Sequence, residues 1–204
     1  MNDWLAGNGQ KGRDPTTNQE ETVRILAMAG STRRDSFNRK LLAVGVKAAE
    51  AAGAEVEVID LKELAIPLYD GDLEKEQGLP PGAQRLKDAL AEAQGLLIAT
   101  PENNHSIPAV LKNAIDWASR PPSNALAGKT AALMAASTGG FGGVRVLMQL
   151  RIPMHTLGVW VVPAHVMIAR AAEAFDEAGN LRDPEATKQV EGLVKRLVDA
   201  LSAN

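Results

Sequence analysis

From Thr22 onward the chain alternates short apolar runs with longer amphipathic stretches, and this alternation is the tightest constraint on what it can fold into. Short apolar runs without polar interruption suit strands buried on both faces. Apolar positions recurring every three or four residues suit helices with one buried side. Repeated in turn along one chain, the two patterns predict a parallel sheet wrapped by helices.

Strands are predicted at Val23 to Ala29, Glu55 to Asp60, Gly95 to Thr100 and Lys129 to Ala136, with a fifth at Val159 to Val162 or at Ala164 to Ile168. Helices are predicted at Arg39 to Ala52, closed by Gly53, at Pro81 to Ala93, at Pro108 to Ser119, at Gly143 to Leu157 with a bend or break at Pro153, and at Pro184 to Ala203. The expected fold is an α/β three-layer sandwich of the flavodoxin-like type, with a five-stranded parallel sheet in the order 2-1-3-4-5. Residues 22–204 form that domain. Residues 1–21 are polar, carry three glycines and show no periodicity, and they read as a flexible N-terminal tail.

Composition narrows the function. A chain of 204 residues suits one domain with a substantial core. A net charge of -3 argues against nucleic acid as a partner. No apolar stretch approaches the roughly 20 residues of a membrane span, and the start of the chain lacks a secretory apolar core, so a cytoplasmic location is expected. Without cysteine there is no thiolate catalysis and no cysteine-held cluster, and redox chemistry would need a bound cofactor. His105, His155 and His165 lack metal-ligand spacing, so no metal site is expected.

In such a sheet the strand order reverses between the first and third strands, and ligands bind there at the carboxyl ends. Three loops should open on that crevice. The first, Gly30 to Asn38, supplies Ser31, Arg33, Ser36, Phe37 and Asn38 ahead of a helix whose first N–H groups lack acceptors. It has neither the G-x-x-x-x-G-K-[ST] pattern nor the three spaced glycines of a dinucleotide loop, so a terminal phosphate monoester fits it better than a pyrophosphate. The same residue types also serve as turn and N-cap chemistry. The second loop, Thr100 to Ile107, offers Pro101, Glu102, Asn103, Asn104 and Ser106 to a flat polar ring. The third, Ser137 to Gly143, offers Ser137, Thr138, Gly139 and Gly140, its glycines permitting close approach. FMN has the matching shape and polarity. A flavin carries its own chemistry, so no catalytic acid or base is named.

The segments Gly30-Ser31-x-Arg33-x-x-Ser36-x-Asn38, Leu68-Tyr69-Asp70-x-Asp72, Thr100-Pro101-Glu102-Asn103-Asn104-x-Ser106 and Leu111-Lys112-Asn113-Ala114-Ile115-Asp116-Trp117, with Gly142-Gly143-x-Arg145, resemble the NADPH-dependent FMN reductase family. The likeness spans about residues 23 to 200 and leans toward its bacterial chromate and quinone reductases. It implies FMN at the switch point, reduced by NAD(P)H and reoxidised by a small-molecule acceptor: a quinone, azo compound, metal oxyanion or free flavin. It also implies a homodimer or homotetramer. By position it would put the FMN phosphate on Ser31, Arg33, Ser36 and Asn38, and the ring beside Pro101 to Asn104 and Ser106, with Ser137 and Gly139 to Gly140 closing the far side. Asn103 departs from the family's usual Tyr, which removes a stacking and hydroxyl contact. Arg145, opening the fourth helix, reads as a contact for a neighbour's acidic group or for the nicotinamide phosphate. Lys112, Asn113, Asp116 and Trp117 read as a packing and subunit face, and Asp70, Asp72, Glu74 and Glu76 as a solvated acidic stretch. The alternative function is a flavodoxin-type electron carrier without a small substrate of its own. A phospho-acceptor domain on the same fold is disfavoured, because Ala29-Gly30 supplies no acidic cluster after the first strand and Thr100-Pro101 no phospho-acceptor Asp after the third.

Overall fold

The computed structural model describes residues 22–203, so the tail read at 1–21 lies outside the described residues. Five strands, β1 (Arg24–Ala29), β2 (Glu55–Ile59), β3 (Gly95–Ala99), β4 (Thr130–Ala136) and β5 (Trp160–Ile168), form one parallel sheet in the order β2-β1-β3-β4-β5. The helices are α1 (Phe37–Ala51), α2 (Gly71–Gln77), α3 (Pro81–Glu92), α4 (Ala109–Ala118), α5 (Val144–Thr156), α6 (Ala171–Ala174) and α7 (Pro184–Ser202). This is the flavodoxin-like order expected from the alternation. Among the described residues no helix is long and apolar enough to cross a membrane.

The central strands explain the uninterrupted apolar runs, because successive side chains enter different cores. Leu26 and Met28, Leu96 and Ile98, and Leu133 and Ala135 pack with α3, α4 and α5. Ile25 and Ala27, Leu97 and Ala99, and Ala132 and Met134 pack with α1 and α7. Edge strand β2 buries only Ile59.

Helix α1 starts two residues earlier than expected because Ser36, rather than Asn38, is its N-cap and accepts the Asn38 N–H. It ends as Gly53 predicts. With Gly53 at φ +87°, its N–H reaches Glu50 O and that of Ala54 reaches Ala49 O, which closes the helix in a Schellman motif.

Two expectations need correction. The fifth strand is not one of two alternatives but both. Pro163 lacks an N–H and interrupts the run at a bulge on the sheet's edge, where Ala131 pairs with Val161 but Leu133 with His165. The guanidinium of Arg151 donates to the carbonyls of Val162 and Pro163 at 2.9 and 3.1 Å, so the bulge keeps partners. Helix α5 does not break at Pro153 but runs on to Thr156, since Val146, Leu147, Leu150 and Met154 bury one continuous stripe on either side of the lost hydrogen bond.

Candidate functional site

The loops after β1, β3 and β4 leave the carboxyl ends of adjacent strands, on either side of the point where the order reverses. They are braced to one another by side chains. Asn38, 2% exposed, donates from Nδ2 to Ala136 O and accepts the Ala136 N–H on Oδ1, both at 2.8 Å, tying the first loop to the start of the third. Gly30 continues the β1 ladder with its N–H on Ala99 O at 2.9 Å. A Cβ on Gly30 would lie 2.4 Å from Thr100 Oγ1, so this glycine makes room for the neighbouring strand's threonine rather than for an incoming anion.

Within the first loop, Ser31, Arg33 and Ser36 precede α1, with Ser36 as its N-cap. Ser31 Oγ accepts the Arg33 N–H at 3.4 Å, and Arg33 is exposed. The N–H groups of Phe37 and Arg39 have no acceptor among the described residues. This donor set fits an anion. Two of the expected ligands also have partners within the chain. The amide of Asn38 bonds Ala136 through one Nδ2–H and through Oδ1, and the Phe37 ring stacks on Phe175, centroids 6.0 Å apart, in the core beneath α1. Arg39, which sequence reasoning did not single out, pairs with Asp60 at the end of β2. Burial raises the Asp60 pKa, but the Lys62 N–H and the Arg39 guanidinium outweigh it and hold the carboxyl below its usual range.

In the second loop, Asn103 and Ser106 exchange backbone hydrogen bonds across Asn104 and His105, which sit at φ +49° and +64°. Two left-handed residues in a row make a tight turn of the I′ kind, a conformation Asn accepts readily and His less so. The turn is held against α5. Ser106 Oγ donates to Gln149 Oε1 at 2.7 Å, and Gln149 Nε2 donates to His105 O at 2.6 Å. Glu102, expected beside a ring, has its carboxylate at the start of α5. Its Oε2 accepts the N–H groups of Arg145 and Val146 at 3.0 and 3.3 Å, and its Oε1 takes Arg145 Nη1 at 3.0 Å, with His105 Nδ1 3.2 Å away. Burial raises the Glu102 pKa, yet the hydrogen bonds from Arg145, His105 and Val146 prevail and keep it below the ordinary value. Arg145 is thus paired inside the chain through Nη1, its guanidinium 4.7 Å from the centre of the exposed Phe141 ring. Pro101 sits half-buried at the base of the loop.

The third loop is anchored at both ends and open between. The Ser137 N–H bonds Ile168 O, the Arg170 N–H bonds Gly139 O, and the Ala171 N–H bonds Ser137 O, fastening it to the end of β5. Gly142 and Gly143, at φ +60° and +88°, turn the chain into α5 where a Cβ would strike Met167 or Ala135. Thr138 is exposed, and a Cβ on Gly140 would meet nothing within 4 Å, so this stretch offers bare backbone to a flat group. A groove of about 730 Å³ between α1 and α7 is lined by none of the three loops.

Away from the crevice, the Leu111 to Trp117 segment has a packing role, as its composition suggested. Asn113 accepts the Tyr69 N–H at 2.8 Å and donates to Pro67 O at 2.8 Å, and Trp117 Nε1 donates to Pro67 O at 2.9 Å. The acidic stretch is not simply solvated. Asp70 caps α2, and Glu74 pairs with Arg120, which lies over the Tyr69 ring.

These observations define a class: a flavodoxin-like α/β protein with a braced crevice at its topological switch point, one side an anion-ready helix start and the other bare backbone. A family model described as NADPH-dependent FMN reductase matches residues 23–173. An NAD(P)H-dependent FMN reductase of Pseudomonas aeruginosa is 38% identical over 180 residues, covering 87% of this chain and 94% of that one. A quinone reductase of Escherichia coli K12 is 41% identical over 132 residues, covering 64% of this chain and 69% of that one. Among solved structures, the flavoenzyme NAD(P)H:(acceptor) oxidoreductase FerB of Paracoccus denitrificans superposes with a TM-score of 0.75 at 32% identity, covering 89% of this chain and 98% of that one. The chain belongs to the NADPH-dependent FMN reductase family, and is thus an oxidoreductase with FMN and a reduced nicotinamide as its cofactors.

Proposed function

We propose that this chain binds FMN in the crevice between its three loops and oxidises NAD(P)H there, with the electrons going to a quinone, free flavin, azo compound or metal oxyanion such as chromate in a ping-pong cycle. FMN held there would supply the redox chemistry between the nicotinamide and the acceptor. The protein's part is to bind and orient. Ser31, Arg33 and Ser36, with the unpartnered N–H groups at the start of α1, hold the phosphate. Pro101, Asn103, Asn104 and Ser106 border the ring on one side, and Ser137, Thr138, Gly139 and Gly140 on the other. No side chain is assigned as acid or base. The observation that carries this reading is the pairing, in one braced crevice, of a helix start with two N–H groups that lack acceptors among the described residues and a glycine stretch open to a planar group.

The reading extends to a single FMN-binding domain after residues 1–21, working in the cytoplasm as a homodimer or homotetramer. Exposed Leu68, Phe141, Ile152 and Trp160 support association. The test is to purify the protein, titrate the flavin-free form with FMN by fluorescence quenching, and follow NADH and NADPH oxidation with quinone, free FMN and chromate as acceptors. Saturable FMN binding and steady NAD(P)H consumption are expected. Binding without turnover would turn the reading into that of an electron carrier.

A further inference from the structure

Two helices begin at the crevice, α1 from the first loop and α5 from the third, and a helix start attracts anions. The start of α5 is the better equipped, since Arg145 adds a guanidinium to its backbone donors. It is also full. The Glu102 carboxylate, on a side chain 9% exposed, takes the Arg145 N–H, the Val146 N–H and Arg145 Nη1. At α1 the N–H groups of Phe37 and Arg39 have no acceptor among the described residues. The crevice thus presents two positive helix ends, one already satisfied by an anion of the chain itself. With both open, a ligand bearing a phosphate at one end and a ring at the other would have two seats for its charge and two orientations.

We propose that Glu102 is a positioning residue whose carboxylate fills the anion seat formed by Arg145 and the start of α5, so that the phosphate of FMN is received only at the start of α1. The identity of the ligand rests on the FMN reading above, but the filled seat is a property of the flavin-free protein and can be tested without flavin. The second loop keeps its place when Glu102 is changed, because Ser106 and His105 remain bonded to Gln149.

Inorganic sulfate is the probe. Thermal unfolding of the flavin-free protein is followed against sulfate, at ionic strength matched with chloride, for wild type, Glu102→Ala, Glu102→Gln and the double variant Glu102→Ala/Arg145→Ala. Glu102→Ala should gain a sulfate-dependent stabilisation beyond that of wild type, with sulfate affinity about tenfold above that of the double variant. Glu102→Gln, which keeps the shape and loses the charge, should show a smaller gain of the same sign and decides the matter if the alanine variant does not fold. The visible circular dichroism of FMN bound to Glu102→Ala should weaken as the flavin divides between two orientations. Coincident sulfate responses of wild type and the folded Glu102 variants, or a gain that persists in the double variant, would overturn the proposal. Failure of wild type to bind FMN would overturn the proposed function and leave the sulfate result standing.

Discussion

In the binding mode proposed above, a phosphate at the loop after β1 would meet backbone N–H groups, Ser31 and Arg33, whereas the amide of Asn38 braces Ala136 through both Nδ2 and Oδ1. The two residues should therefore fail differently. Arg33→Ala should weaken FMN binding by about 1.5–3 kcal/mol, roughly ten- to a hundredfold, with an unchanged melting temperature. Asn38→Ala should lower stability by about 1–3 kcal/mol, seen in urea melts of the flavin-free protein, because it leaves buried Ala136 N–H and C=O groups unpaired. Glu102 is one of the groups that make stability depend on pH. Its carboxyl is held below the ordinary glutamate value when folded, so the stability it contributes is complete above that value and is lost as the pH falls through the folded one. Glu102→Gln should accordingly be less stable than wild type at neutral pH, with the gap closing under acid. A gap that does not depend on pH would contradict this account of the charge.

At the scale of elements, the segment most recognisable in sequence turns out to be a strap. Asn113 and Trp117, one helical turn apart on α4, seize the backbone of Pro67 and Tyr69, and the edge of Trp117 meets the Tyr69 ring with centroids 5.1 Å apart. Trp117 is fully buried, so Trp117→Ala should cost about 3–5 kcal/mol, measured by denaturant unfolding. The apolar periodicity of α1, α3, α4 and α7 and the runs of β1, β3 and β4 could be read from the chain because their burial is set by local spacing. The course of β5 could not. Pro163 divides its sequence into two candidate strands, which pair with β4 as one bulged strand whose freed carbonyls are taken by Arg151 of the preceding helix. Much of the site was hidden for the same reason. The sequence indicates that Glu102, Asn38 and Arg145 are polar residues near a crevice. It does not indicate that their partners are each other and Ala136, which stand 43 and 98 positions away.

At the scale of the molecule, the sheet places three loops side by side and the braces make them one surface: Asn38 to Ala136, Glu102 to α5, Gln149 to the turn at Asn104, and Ile168 to Ser137. Most of these contacts are made by protein groups alone, so the crevice should be formed before any ligand arrives, and FMN should enter without large rearrangement. A crystal structure of the FMN complex tests this account most directly. The account predicts flavin density across the three loops, with the phosphate against Ser31, Arg33 and the start of α1 and Glu102 still bonded to Arg145. A phosphate seated on Arg145, or flavin bound outside the three loops, would contradict it.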